Sequence, residues 1–218
     1  MKIGIVGAGN VGTGIGKRLA AKGHDIMVSF GRSPDKVQAA ADAIGGGARA
    51  GTPAEAAHHG DVVIVATPWA VTLDTIEGLS GDLAGKIVWD ATNPLKADIS
   101  GLEIGTTTSA GEEIAKAIPG AKVVKAIPPF AEVLHSPSIH IAAGRPGVFV
   151  CGDDADARKV VLELVQAIDA EGTDAGPLML ARYTEPAGML LVQLAYMQRM
   201  GARVGLSLLR DHAQGATA

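Results

Sequence analysis

The sequence predicts an α/β protein: a doubly wound, mostly parallel sheet with a small C-terminal helical extension. Three observations predict it. Strand-like and helix-like runs alternate from residue 2 to residue 127. The run DVVIVAT (61–67) is apolar throughout, as a strand covered on both faces must be. A glycine-rich turn, Gly7-Ala8-Gly9-Asn10-Val11-Gly12, joins the first strand to the first helix.

The elements follow in order. KIGIV (2–6) reads as a buried strand, and residues 11–22 as a helix closed by Gly23. DIMVSF (25–30) is the second strand. Pro34 suits the first turn of a helix to Ile44, which Gly45-Gly46-Gly47 ends before a short strand near 48–50. Thr52-Pro53 starts a small helix through His58. After DVVIVAT comes a helix from Val71 to Leu79, then the strand KIVWDAT (86–92). Ser109-Ala110-Gly111-Glu112 is a capping box for a helix through Ile118, and AKVVKAI (121–127) is the sixth strand. Pro128, Pro129, Pro137 and Pro146 mark residues 128–147 as a long loop. VFVCG (148–152) is a strand, and a helix to Ile168 follows whose start carries Asp153, Asp154 and Asp156, favourable through the helix dipole. GTDAG (172–176) reads as an edge strand. Residues 178–209 read as one helix, kinked near Pro186-Ala187-Gly188 and apolar on nearly every side, which calls for burial against a second chain. The division is residues 1–147, a dinucleotide-binding domain of Rossmann type, and 148–218, the extension.

Composition excludes several classes. A net charge of −4 offers no basic field for nucleic acid. The single cysteine, Cys151, rules out an internal disulfide and suits the reducing cytoplasm. The N-terminus enters a strand directly, without the basic region or cleavage site of a signal peptide. The most apolar stretch, 187–198, is about 12 residues, contains Gln193, and is too short to span a bilayer. No H-x-x-x-H or C-x-x-C pattern suggests a metal, and none of the sequence marks a nucleophile elbow.

The fingerprint assigns roles by position. Gly7 allows the tight turn, Gly9 lets the backbone approach a pyrophosphate, and Gly12 permits close helix–strand packing. The amides of Asn10 and Val11 open the helix toward the phosphates. Gly14 and Gly16 serve close packing. About 20 residues on, an NAD site carries an acidic residue for the ribose 2′-OH. This chain instead has Ser29-Phe30-Gly31-Arg32-Ser33, with Lys36 close behind. A guanidinium and hydroxyls suit a 2′-phosphate, so the expected cofactor is NADP(H).

Further candidates lie where strands end at the carboxyl edge of the sheet: Thr67-Pro68-Trp69 and Thr92-Asn93-Pro94-Leu95. Asn93 offers an amide to a ribose or to a nicotinamide carboxamide. Pro128, Pro129 and Phe130 form a rigid, donor-poor wall for a flat ring, the acceptor pocket. His58-His59 reads as surface, and His135 and His140 fall in the long loop. Lys125, penultimate in its strand, is the cation nearest that wall in sequence. No catalytic side chain is assigned; hydride transfer between two bound rings rests mainly on proximity and orientation.

With these segments placed, the chain resembles the NADPH-dependent reductases of the deazaflavin coenzyme F420, and is similar to the NADPH-oxidising domain of the Steap-type membrane ferric reductases. The resemblance rests on IVGAGNVGTGIGKRLAAKGHDI, SFGRSPDK, ATPW, DATNPL, VKAI…FAEVLHSP and VCGDDADARKVVLELVQAID followed by TDAGPLMLAR. It implies an NADP site at Gly9 to Gly12, Ser29, Arg32, Ser33 and Lys36, with nicotinamide contacts near Thr67, Trp69 and Asn93. It also implies a homodimer through the C-terminal helix and hydride exchange with a deazaflavin or flavin ring. One segment departs from the family: Ile127-Pro128-Pro129-Phe130 is one residue shorter and lacks the polar residue that relatives carry there. Alternatives are a flavin reductase, a carbonyl or imine reductase with His135 or Tyr183 as proton donor, and an NADPH-sensing regulator without turnover.

Overall fold

The computed structural model describes residues 1–31, 33–142, 144–209 and 211. The first half runs β1 (Lys2–Val6), α1 (Asn10–Ala21), β2 (Asp25–Ser29), α2 (Pro34–Ile44), β3 (Arg49–Ala50), α3 (Pro53–His59), β4 (Val62–Val65), α4 (Trp69–Glu77) and α5 (Ser80–Leu83). Then come β5 (Ile87–Asp90), α6 (Ala110–Ala117), β6 (Lys122–Ala126), α7 (Ala131–His135), β7 (Gly147–Gly152), α8 (Ala155–Ala167), β8 (Glu171–Gly176) and α9 (Ala181–Val192).

The strands form one eight-stranded sheet in the order β3-β2-β1-β4-β5-β6-β7-β8. Pairings are parallel except β6 with β7, so β7 and β8 run against the rest. Strand order reverses between β1 and β4, and in open α/β sheets the ligand crevice lies at such a point. The pleat explains the apolar run of β4: Val62 and Ile64 join one buried cluster, Val63 and Val65 the cluster on the other face. Trp89 belongs to the core, with its indole N–H donating to the Ala126 carbonyl at 2.7 Å. Gly14 and Gly16 are packing positions: a Cβ would lie 2.8 Å from Leu134 Cβ and from Ile44 Cδ1 respectively.

Three expectations change. The 128–147 stretch is not loop throughout, since Ala131–His135 form a helical turn whose Leu134 packs on α1. The predicted helix over 178–209 is shorter. A 3₁₀ turn (Leu178–Leu180) leads into α9, a π turn (Gln193–Met197) extends it, and the chain then leaves helical geometry through Arg199 and Gly201, both at positive φ. Residues 202–206 turn back as a strap: Gly147 N–H donates to the Leu206 carbonyl at 2.6 Å, and Arg203 Nη2 to the His140 carbonyl at 2.6 Å. Pro186 sits inside α9, which continues through it although the proline cannot donate to the Arg182 carbonyl. Nor is α9 buried on every side. Glu185, Met189 and Val192 face the protein, while Tyr183 is 69% and Leu190 54% exposed. No helix among the described residues is long and apolar enough to cross a membrane.

Candidate functional site

A cleft of about 620 Å³ opens at the switch point. One wall is the start of α1, where Gly9, Asn10 and Val11 line the space. This helix has no capping side chain and no acid in its first turn, so its leading amides remain available to an anion. The turn is tight by necessity. A Cβ on Gly12 would lie 2.0 Å from the Gly7 carbonyl oxygen, and one on Gly7 2.4 Å from that of Ala66, while Gly9 has nothing within 4 Å. These features fit a dinucleotide pyrophosphate.

The next wall comes from the ends of β4 and β5. Thr67, Pro68, Trp69 and Asn93 all line the cleft. Thr67 is buried with its hydroxyl 2.9 Å from that of Thr72, and Thr72 donates to the Pro68 carbonyl, which fixes the turn. Pro94 is buried behind Asn93. Asn93 Nδ2 donates to the Glu185 carbonyl at 3.3 Å, leaving Oδ1 buried without a donor. An unpaired buried acceptor costs about 1–3 kcal/mol, and a bound amide N–H would relieve that cost.

The third wall is apolar: Pro128, Pro129 and Phe130, with Tyr196 and the strap residues Val204 and Leu206. Phe130 and Tyr196 meet edge to face, centroids 5.6 Å apart. The Tyr196 hydroxyl donates to Glu132 Oε1 at 3.1 Å. Burial and the Glu132 carboxylate push this phenol up to about 12, so it stays protonated at neutral pH. The contact joins segments 64 residues apart in the chain, so no local spacing announces it.

Other predicted residues lie elsewhere. Ser29 is fully buried and its hydroxyl donates to the Ile5 carbonyl at 3.0 Å, so it faces the sheet interior and not a phosphate. Ser33 caps α2 by accepting from Lys36 N–H, and Lys36 is exposed. A second cavity of about 620 Å³, lined by Phe30, Gly31, Ser33, Val37 and Thr52, adjoins them at the end of β2. Arg32 lies outside the described residues. His135 Nε2 lies 2.8 Å from the Asn10 carbonyl, on the outside of α1, and Tyr183 is exposed; neither lines the cleft. His59 is not a surface residue: its ring is 8% exposed and its Nε2 lies 3.1 Å from the Asp25 carbonyl. Among the described residues no group of His, Cys, Asp or Glu is arranged to hold a metal ion.

Sequence reasoning missed a buried ion network under the Asn93 turn. Lys125 is fully buried and donates to Asp90 Oδ2 (2.8 Å), the Thr92 carbonyl (2.7 Å) and Glu185 Oε1 (3.0 Å). Asp90 Oδ1 accepts from Thr92 N–H and Oγ1–H, at 2.9 and 2.7 Å. Glu185 accepts from the amides of Ala110 and Gly111 at 2.9 and 3.1 Å, at the N-terminus of α6. Burial opposes the Lys125 charge, but Asp90 and Glu185 outweigh it and raise its pKa. Burial raises the Glu185 carboxyl, against the pull of Lys125. Two acids face one base, and the two α6 amides offset the surplus negative charge.

Fold and cleft together define a dinucleotide-binding α/β protein with an apolar second half to its binding cleft. The comparisons agree. The family model described as NADP oxidoreductase, coenzyme F420-dependent, matches residues 2–94. The F420-dependent NADP reductase of Methanocaldococcus jannaschii is 33% identical over 211 residues, covering 89% of this chain and 92% of that protein. The metalloreductase STEAP3 of Rattus norvegicus is 26% identical over 88% of this chain but only 37% of its own length. Among solved structures, one from Arthrobacter sp. FB24, provisionally assigned as an F420-dependent NADP reductase, superposes with a TM-score of 0.85 at 28% identity. It covers 96% of this chain and 100% of that one. The chain belongs to the family of F420-dependent NADP reductases.

Proposed function

We propose that this protein transfers a hydride between NADP(H) and the deazaflavin coenzyme F420. The observation that carries the reading is a single cleft with two unlike halves, in a chain 33% identical along most of its length to an F420-dependent NADP reductase. The uncapped start of α1 receives the pyrophosphate. Arg32, Ser33 and Lys36 recognise the 2′-phosphate, from their place after β2. Thr67, Trp69 and Asn93 border the nicotinamide, and Pro128, Pro129 and Phe130 support the acceptor ring. The bound dinucleotide supplies the hydride; the chain binds, orients and excludes water. The division between residues 1–147 and 148–218 is then one of cofactor half and acceptor half. The reading includes a homodimer in the cytoplasm. Exposed Tyr183, Leu190, Met197 and Met200 support the dimer, and the lone buried Cys151 the compartment.

Steady-state NADPH oxidation with F420, FMN, FAD and an imine tests the reading. F420 turnover well above the others is expected, and comparable rates with the imine would defeat it. Arg32→Ala is expected to weaken NADPH about ten- to a hundredfold and leave NADH nearly unchanged.

A further inference from the structure

Helix α9 meets the Asn93 turn at two points. The Glu185 carbonyl accepts from Asn93 Nδ2 at 3.3 Å. One turn further on, the missing side chain of Gly188 leaves room for the amide. A Cβ there would lie 3.0 Å from Asn93 Nδ2 and 3.2 Å from Ile127 Cδ1. The turn is anchored from below as well, because Lys125 holds the Thr92 carbonyl and Asp90 holds the Thr92 amide. Glu185 belongs to both contacts: its carboxylate pairs with Lys125, and its carbonyl receives Asn93.

Committing Nδ2 to a carbonyl decides which way round the amide sits. Reversed, Oδ1 would face the Glu185 oxygen and both would repel. Oδ1 is therefore the free end, and it is buried without a donor in a residue that lines the cleft. The ligand group that completes it donates a hydrogen bond, through an N–H or an O–H. A nicotinamide carboxamide is such a group; a ring with only acceptors at that edge is not.

We propose that Gly188 and Glu185 are positioning residues that fix the Asn93 amide so that Oδ1 accepts the carboxamide N–H of the nicotinamide. The inference rests on the NADP(H) reading and adds to it that α9, outside the dinucleotide fingerprint, orients the reacting ring.

The test compares NADPH with its reduced 3-acetylpyridine analogue, which has no N–H at that position. The readout is the ratio of their kcat/KM values in the wild type, Gly188→Ala, Asn93→Ala and the double variant. Alanine favours helix over glycine, so Gly188→Ala is expected to keep or raise Tm. Its Cβ displaces Asn93, and the preference for NADPH over the analogue is expected to fall about tenfold, the value of one hydrogen bond. Asn93→Ala is expected to do the same, and the double variant to fall no further, since both changes act through one contact. Ile127→Val removes the Cδ1 atom that crowds the new methyl; combined with Gly188→Ala it keeps the fold while the Asn93 contact stays disturbed. An unchanged ratio in Gly188→Ala, or losses that multiply in the double variant, would overturn the proposal while leaving the cofactor assignment standing. A wild type that binds no NADPH by fluorescence titration would overturn both.

Discussion

The two ends of the chain build their share of the cleft by different means. At β1 and the start of α1, backbone packs on backbone: a Cβ on Gly4 would lie 2.0 Å from the Ala56 carbonyl oxygen, and one on Gly12 2.0 Å from that of Gly7, whereas Gly14 and Gly16 further along α1 meet side chains. Around α9, contacts are made by side chains, and the strap combines them with one backbone bond, Gly147 N–H to the Leu206 carbonyl. Gly188 would meet the Asn93 amide at 3.0 Å, and Gly205 the Pro146 side chain at 3.1 Å. Backbone cannot move aside, so the first region admits glycine alone at fixed spacing. Side chains can turn or be exchanged, so the second region tolerates more variation. The buried Asp90–Lys125–Glu185 network ties the ends of β5 and β6, in the dinucleotide-binding half of the chain, to α9.

Breaking that joint should have the largest effect. Lys125→Met leaves two buried carboxylates without their cation and is expected to cost about 3–5 kcal/mol. Urea unfolding measures it, and adding Asp90→Asn and Glu185→Gln is expected to recover at least part of the loss. An unchanged midpoint for the single variant would show that the network does not hold the halves together.

Gly12→Ala strikes the backbone-packed region. With a carbonyl oxygen 2.0 Å from the new methyl, α1 must shift bodily. The expected cost is about 2–3 kcal/mol, accompanied by loss of NADPH binding. If titration gives the wild-type affinity, the turn is less constrained than its geometry indicates.

Ending the chain at Gly201 removes the strap and with it the Val204 and Leu206 wall. The lost apolar contact corresponds to about a tenfold rise in the KM of a ring acceptor. NADPH affinity is expected to stay the same, so equal losses for both ligands would erase the distinction between the halves.

The smallest effect concerns Cys151 on β7. Burial pushes its thiol up from 9.0 to about 11, so the folded protein holds this proton more tightly than the unfolded chain does. The associated stability is complete below pH 9, declines as pH rises through 11, and leaves the thiol inert in between. Iodoacetamide at pH 8.5 (about the ordinary thiol value) is expected to label the denatured protein and spare the native one.

The sequence by itself determined the sheet, the fingerprint and the positions of the cleft. Strand periodicity, glycine spacing and prolines at strand ends are local signals, set by the chain's own sterics. They located the glycine-rich turn, the Trp69 and Asn93 turns and the Phe130 wall, and the structure brings Gly9 to Val11, Trp69, Asn93 and Phe130 to one cleft. Local signals also misled. The apolar run through 178–209 suits a helix, but pairing of Leu206 with Gly147 and the turn at Arg199 and Gly201 redirect it. Ser29 sits at the position expected of a phosphate ligand, yet its hydroxyl faces inward to Ile5. Lys125 reads as one cation in a strand, and only the fold supplies Asp90 and Glu185, 35 and 60 residues away. Tertiary structure alone decided these points. A buried polar group takes its role from its partners, and partners distant in sequence leave no spacing to read.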